Sequence, residues 1–342
     1  MTEHHFSTEQ VICPQCGSQR WRKLTSQWLC KNGHVIPTSA GLPDFSAGGT
    51  LAAQDRKLRD RLYNGLLGRY YGFMMPLLSM PARPISQSLS QWAVFFITWI
   101  VLFDLLWGMT VAFSGGHTVI GCLLLALLLA SGAVLYRHSY LFWLLLVAIP
   151  VKLILLLRPY KPAETFPDVH RRWVNALKDA GCEQVLDVST GTCNSLLRHG
   201  WTSLGAQLHG IDLSTTMLLQ GADNAAAAGV PIQLYVADAQ AMPFPDACMD
   251  LVLNYGALNG YQDQGRALAE MARVLKPGGV LVCLDEQLYD RVGKLEKLYF
   301  EKVLASHDTI MRFPREAVPV VLDLVELHQI YQFYYLAIMR KS

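Results

Sequence analysis

The sequence predicts an α/β protein: a doubly wound, seven-stranded sheet, preceded by a small zinc ribbon and a transmembrane helical insertion. Three observations predict it. Over residues 165–342, strand-like and helix-like patterns alternate, and several of the strands end in an acidic residue. Cysteines and a histidine recur near the N-terminus as C-x2-C-x13-C-x3-H. Between them lie three long apolar runs.

Composition bounds the reading. The chain has 342 residues, of which 52% are hydrophobic and 16% charged. Soluble domains carry about 25% charged residues, so disorder is excluded and an ordinary soluble protein is disfavoured. The formal charge of +2 hides a split: residues 1–90 carry net +5, residues 91–157 net +1 and residues 158–342 net −4. An acidic C-terminal half is a poor clamp for nucleic acid, since phosphate binding rests on Lys and Arg. The first 20 residues are polar and lack the apolar core of a secretory leader, so none is expected. The eight cysteines do not read as a disulfide framework, which suits a reducing compartment.

Residues 5–45 form the ribbon. Cys13-Pro-Gln-Cys16-Gly and Cys30-Lys-Asn-Gly-His34 each place two ligands on one tight turn, and two such turns close a tetrahedron around Zn²⁺. Gly17 and Gly33 let the backbone turn toward the thiolates. Trp21–Leu29 between the pairs has strand-like apolar positions. A module of about 40 residues needs such a staple, so the metal is expected to be structural. His4 and His5 fall outside the pattern.

Residues 51–90 are basic, with a helix expected at their start, and residues 91–160 hold the apolar region. Trp92–Phe113 has one charge, Asp104; Val119–Tyr136 has none; Tyr140–Leu157 carries Lys152 and a mid-run Pro150. A bilayer core needs about 20 apolar residues in a helix. Basic residues flank the region on both sides, with Arg56, Lys57, Arg59 and Arg61 before it and Arg158, Lys161, Arg171 and Arg172 after it. Both flanks are therefore expected on the cytoplasmic side. That requires an even number of crossings. The expectation is a two-span hairpin with Tyr140–Leu157 in the interface or re-entrant. Asp104 is expected to bond within the bundle.

Residues 161–342 form the sheet domain. Gln184-Val-Leu-Asp187-Val-Ser189-Thr-Gly191-Thr-Cys193 reads as a strand, a tight loop and the start of a helix at Asn194. Gln207–Asp212 is a second strand ending in Asp, 21 residues after Gly191. An acidic side chain at about that distance from a glycine loop binds two ribose hydroxyls. Ile232–Asp238 is a third strand and Asp250–Gly256 a fourth. The helix Gly265–Val274 stops at Leu275-Lys-Pro-Gly-Gly279 and leads into the strand Val280–Leu284. Val318–Val325 and Tyr331–Met339 complete seven.

Taken in order, these motifs resemble the class I S-adenosylmethionine-dependent methyltransferases, with their Rossmann-like sheet. Within that class they are similar to the ubiquinone/menaquinone-biosynthesis group. The stretches that carry the likeness are Val236-Ala-Asp-Ala-Gln-Ala-Met-Pro-Phe-Pro-Asp246, Tyr255-Gly-Ala-Leu-Asn259 and Glu270-Met-Ala-Arg-Val-Leu-Lys-Pro-Gly-Gly279. Arg61-Leu-Tyr63-Asn and Tyr70-Tyr71-Gly-Phe also look like the Tyr-rich leading helix of that group. The resemblance implies that Asp187, Ser189 and Gly191 line the methionine end of the cofactor. Asp212 would hold its ribose, Asp238 and Ala239 would lie beside its adenine, and Asn254 and Tyr255 would face the sulfonium and the acceptor. The loop departs from the family's D-x-G-x-G-x-G at Ser189 and at Cys193, where a Cβ crowds the helix–strand approach. The ribbon, with Cys13, Cys16, Cys30 and His34, resembles that of the ribosomal-RNA guanine-N1 methyltransferases.

These readings lead to a membrane-anchored methyltransferase acting on a lipid-soluble molecule: a quinone precursor, another isoprenoid or a phospholipid. Two alternatives stand beside it: an RNA methyltransferase led by the ribbon, and a non-catalytic membrane scaffold. A base is needed only where the nucleophile arrives protonated. Tyr255, Tyr261 and His170 are the candidates, none singled out.

Overall fold

Alternating apolar side chains build a sheet covered on both faces. The computed structural model describes residues 7–46, 58–64, 114, 122, 164–301, 311–331 and 333–342. Apart from Cys122, the three apolar runs lie outside the described residues, as does nearly all of 51–90. Among the described residues, no helix is long and apolar enough to cross a membrane.

Seven strands are β6 (Gln184–Val188), β7 (Gln207–Asp212), β8 (Ile232–Val236), β9 (Met249–Tyr255), β10 (Leu275–Glu286), β11 (Leu322–Tyr331) and β12 (Tyr334–Lys341). Their order is β11-β12-β10-β9-β6-β7-β8. The β10–β9–β6–β7–β8 portion is parallel, and β12 runs antiparallel between β10 and β11. Val185, Leu251, Leu253, Val280 and Val282 point to one face, where they pack with helix α1 (Phe166–Asp179) through Val169, Trp173, Val174 and Leu177. Leu186, Val188, Val252, Leu281 and Cys283 point to the other, with Ala267, Leu268 and Met271 of helix α4 (Gln264–Val274). The one-residue alternation is the period of two that a pleated strand imposes. Helix α3 (Thr215–Ala228) lies between β7 and β8, and its Ser214 cap accepts a hydrogen bond from the Met217 amide at 3.2 Å. Helix α2 (Asn194–Arg198) is a bare turn and a half after the β6 loop.

Several strand boundaries differ from the sequence reading: the fifth strand already begins at Leu275, the sixth runs on to Tyr331 and the seventh begins at Tyr334. The sixth strand begins at Leu322, four residues after Val318, because Arg315–Ala317 is a 3₁₀ turn and Pro319 donates no ladder hydrogen bond. Val320 is left 98% exposed. The third strand ends at Val236, so Asp238 sits in the loop beyond it.

The ribbon is a five-stranded sheet of its own, β1 (Ser7–Thr8), β2 (Arg20–Lys23), β3 (Gln27–Cys30), β4 (Val35–Ser39) and β5 (Leu42–Pro43), in that spatial order. It docks on the free edge of the larger sheet. The Phe45 amide donates to the Val236 carbonyl at 2.8 Å and the Ile12 amide to the Pro243 carbonyl at 2.9 Å. Asp44 and Val236 form a parallel bridge. Trp28 and Phe45 stack edge-on against Tyr235, with centroids 6.4 and 6.2 Å away. The ribbon core of Val11, Trp21, Trp28 and Ile36 is thereby continuous with that of the sheet, and an edge strand that would otherwise be open is covered.

Candidate functional site

The site is built where β6, β7, β8 and β9 end at their carboxyl sides, the place where open α/β sheets bind ligands. After β6 the chain turns sharply: Ser189, Gly191 and Cys193 have φ of +57°, +55° and +58°. For Ser and Cys this left-handed region costs roughly 1–2 kcal/mol each, and surrounding bonds hold it. Asp187, 1% exposed, accepts hydrogen bonds from the Thr190 hydroxyl at 2.6 Å and from the Ser195 hydroxyl. The Thr190 amide donates to the Ile211 carbonyl at 2.9 Å and Asn224 Nδ2 to the Thr192 carbonyl at 3.0 Å. The side chain at Cys193 fits because α3 has Gly221 opposite it. A Cβ on Gly221 would lie 2.7 Å from Cys193 Sγ and 3.1 Å from the Gly191 carbonyl. The room that a third loop glycine would leave is thus supplied from the facing helix.

The loop borders an open cleft at the carboxyl ends of the strands. Ser189, Gly191, Asp212, Asp238, Ala239 and Tyr255 line it together. Asp187 and Asn254 do not: both are buried behind it. Asn254 Nδ2 donates to the Val188 carbonyl at 3.1 Å and to the Tyr261 hydroxyl at 2.8 Å. These two side chains shape the loop from beneath.

Asp212 is the acidic group facing the cleft from β7. Its two oxygens accept from the Gly191 amide (3.0 Å) and the Ser214 amide (2.8 Å), and each retains acceptor capacity. Burial raises its pKa to about 6 despite those bonds. Burial likewise raises Asp187 to about 7, its hydrogen bonds opposing and the Asp212 charge adding. Leu213, Met217, Ala237 and Ala239 supply apolar wall. A carboxylate able to accept from two adjacent hydroxyls, an apolar slot and a tight loop suit S-adenosylmethionine, with its ribose, adenine and methionine parts.

At the other side of the cleft Tyr255 and Tyr261 differ in their surroundings. Tyr261 shares its hydroxyl with Ser189 Oγ at 2.7 Å as well as with Asn254. The Tyr255 hydroxyl meets Nε2 of His170, 85 residues away on α1, at 2.6 Å. Burial pushes His170 down to about 3, with the neighbouring His199 adding to the effect, and raises both tyrosines.

Sequence reasoning missed Arg59 and Tyr63, which line the cleft from the helical turn Leu58–Tyr63. The signal was present in the Arg61-Leu-Tyr63-Asn likeness, but only the tertiary structure brings that turn to α3. Ser214 Oγ donates to Asn64 Oδ1 at 2.7 Å and ties it there.

In the ribbon, the ligand atoms of Cys13, Cys16, Cys30 and His34 all lie within 4.8 Å of one another. Cys13 Sγ and Cys30 Sγ are each 3.5 Å from His34 Nδ1, and Cys16 Sγ is 3.7 Å from Cys30 Sγ. The Gly17 and Gly33 amides close the two turns onto the Cys13 and Cys30 carbonyls at 2.8 and 2.9 Å. Among the described residues Glu164, Glu326 and His328 also converge, but Arg172 bridges the two carboxylates at 2.8 and 2.6 Å.

Comparison with known proteins agrees with this geometry. Residues 186–283 match the family model described as a methyltransferase domain. The chain is 35% identical over 168 residues to the ubiquinone/menaquinone biosynthesis C-methyltransferase UbiE of Chromobacterium violaceum, covering 47% of this chain and 68% of that protein. It is 29% identical over 168 residues to the UbiE of Laribacter hongkongensis, with the same coverage. It is 34% identical over 136 residues to the demethylmenaquinone methyltransferase of Thermus thermophilus, covering 39% of this chain and 62% of that one, less than two thirds of its length. With the seven-stranded sheet, the acidic strand ends and the cleft between them, this places the chain among the class I S-adenosylmethionine-dependent methyltransferases of the UbiE type, a family to which it belongs.

Proposed function

We propose that this methyltransferase acts on the reduced ring of a quinone precursor, from a position in the membrane. The observation that carries the reading is the cleft itself: Asp212, Asp238 and the Ser189–Cys193 loop on one side, and Tyr255, Gly256 and Ala257 on the other, in a chain whose relatives are named for quinone biosynthesis. Bound S-adenosylmethionine supplies an electrophilic methyl group on a positively charged sulfur. The chain's part is to hold the nucleophile in line with it in a site shielded from water. Of the residues lining the cleft, Asp212 would accept from the ribose, Ala237, Ala239 and Met217 would give adenine an apolar slot, and Gly191 would let the loop lie close.

The apolar runs support membrane attachment: a two-span hairpin with the ribbon and the catalytic domain on the cytoplasmic side raises the local concentration of a lipid-soluble acceptor. The ribbon's reading is a structural Zn²⁺ held by Cys13, Cys16, Cys30 and His34. Its distances support this. Zn–S bonds of about 2.3 Å and Zn–N bonds of about 2.0 Å give tetrahedral edges of roughly 3.5–3.8 Å; three of the six edges are 3.5, 3.5 and 3.7 Å, and all six are within 4.8 Å.

The test uses membranes containing the full chain, methyl-labelled S-adenosylmethionine and a reduced demethylnaphthoquinol with a short isoprenoid tail. Label in the organic extract, absent with Asp212→Asn, is the expected result. Label confined to RNA or protein would overturn the acceptor assignment.

A further inference from the structure

Strand register divides the ribbon sheet into two faces. Trp21 lies opposite Cys30, and Trp28 opposite Ile36. These four are buried in the core shared with Tyr235 of β8. A pleated strand sends the residues between them to the other side. There Arg22 lies opposite Leu29, Leu29 opposite Val35 and Gln27 opposite Pro37. Arg20, two residues before Arg22, shares that face. One step further along the same ladder the Lys31 amide donates to the Arg20 carbonyl at 2.9 Å, which sets Lys31 opposite Arg20. The outer face therefore carries three cations beside Leu29, Val35 and Pro37.

Its charge is not compensated within the ribbon. Residues 7–46 hold two acidic side chains, Glu9 and Asp44. Glu9 pairs with Lys23 at 2.7 Å, and the Asp44 carboxylate accepts from the Ser46 amide at 2.9 Å and the Ser46 hydroxyl at 2.6 Å. Among the described residues, Arg20, Arg22 and Lys31 make no ion pair, and Arg22 Nε is buried without a hydrogen-bond partner. Like charges directly opposite each other, as Arg20 and Lys31 are, destabilise a sheet; an anionic partner would offset this. Val35 is 45% exposed among these cations and Pro37 is exposed.

We propose that this outer face of the ribbon, Arg20, Arg22 and Lys31 with Leu29, Val35 and Pro37, docks on the anionic lipid surface of the membrane. The proposal deepens the membrane reading above and rests on it. Cations interleaved with aliphatic side chains suit lipid: the charges meet anionic headgroups, and the aliphatic groups enter the boundary beneath them. Single-stranded RNA is held instead on exposed aromatic rings that stack with bases. The aromatic side chains among the described ribbon residues, Trp21, Trp28 and Phe45, are turned inward against one another and Tyr235. The ribbon thus joins the sheet domain to the lipid, with one face on β8 and the other on headgroups.

The experiment uses the full chain in vesicles of phosphatidylcholine, with and without phosphatidylglycerol, and with labelled ribosomal RNA added. A benzophenone amino acid replaces Val35, and light then joins it covalently to whatever lies against the face. Three cations near an anionic surface are worth roughly 10²-fold in affinity, so lipid adducts should rise at least about tenfold with phosphatidylglycerol. They should fall back in Arg20→Gln with Lys31→Gln, its zinc retained by metal analysis. The unsubstituted cations should lose the adduct at about 1 M salt, where the screening length is roughly 3 Å; this arm needs no further substitution. Equal adducts in both lipids, adducts indifferent to salt, or capture of RNA in place of lipid would each overturn the docking surface. Extraction with alkaline carbonate reports the hairpin separately. A chain stripped from the membrane overturns the hairpin, and the ribbon face is then judged by the same adducts on vesicles added from outside.

Discussion

Gly221→Ala should damage the cofactor loop, although alanine is the better helix former. Gly221 lies inside α3, where the exchange by itself stabilises by about 1 kcal/mol. Here the new Cβ would sit 2.7 Å from Cys193 Sγ and 3.1 Å from the Gly191 carbonyl. Cys193 is fully buried at φ +58° and has nowhere to swing. Overpacking of this kind costs about 1–3 kcal/mol. Set against the helix gain of about 1 kcal/mol, the expected net loss is up to about 2 kcal/mol, a melting temperature lower by up to roughly 8 °C for a domain of this size. Movement of the loop should also weaken S-adenosylhomocysteine binding about tenfold, equivalent to about 1.4 kcal/mol. The assay is a double-mutant cycle with Cys193→Gly, which removes the sulfur and suits the positive φ. Thermal unfolding and calorimetric titration read the four proteins. Coupling of about 1–2 kcal/mol between the two positions is expected. A Gly221→Ala protein that is more stable than its parent, or equally impaired with and without Cys193, would refute the account.

Further outcomes follow from the same contacts. Asp212, raised from 3.8 to about 6, holds a proton in the cofactor-free fold that the unfolded chain has lost, so its stabilising contribution fades as pH rises from about 4 through about 6. Ribose hydroxyls favour the ionised form, so cofactor affinity should rise up to roughly tenfold per unit between pH 5 and 6 and then level; calorimetry of Asp212→Asn should show this dependence gone. Cys13→Ser with Cys16→Ser should remove one zinc per chain by metal analysis, and metal retained at one per chain would sink the ribbon assignment. Because the ribbon covers β8, whose end leads to Asp238 and Ala239, the same protein should bind S-adenosylhomocysteine more weakly, and Phe45→Ala should do so with its zinc intact. Asn64→Ala removes the acceptor for the Ser214 hydroxyl and should weaken cofactor binding several-fold, of the order of one net hydrogen bond at about 1 kcal/mol.

Much of the domain was legible because its signals are local. The strand from Gln184 to Val188, the acidic residues after the strands and the helix stop at Pro277-Gly278 are consequences of a few consecutive residues. The convergence of Cys13, Cys16, Cys30 and His34 was legible for the same reason, since two tight turns fix two pairs. The roles of Asp187 and Asn254 were less so. Motif position places them at the loop, but whether a side chain faces the cleft or lies beneath it depends on the pleat and on what packs behind. The seam between Val318 and Leu322 was misplaced because a run of valines resembles a strand even where a 3₁₀ turn and a proline precede the ladder.

Pattern and spacing by themselves determined the order of strands and helices, the acidic residues at the strand ends, the Cys13, Cys16, Cys30 and His34 cluster and the apolar region between ribbon and sheet. These rest on periodicity and on short-range geometry, which one segment carries alone. Tertiary structure decided the rest. It seats the ribbon on β8, lets Gly221 make room for Cys193, brings Arg59 and Tyr63 to the cleft and sets His170 against Tyr255 across 85 residues of chain. Each of these is a meeting of surfaces from distant segments. Their complementarity is a property of the packed whole, because close packing and buried hydrogen bonding fix a partner only once every neighbouring element is in place.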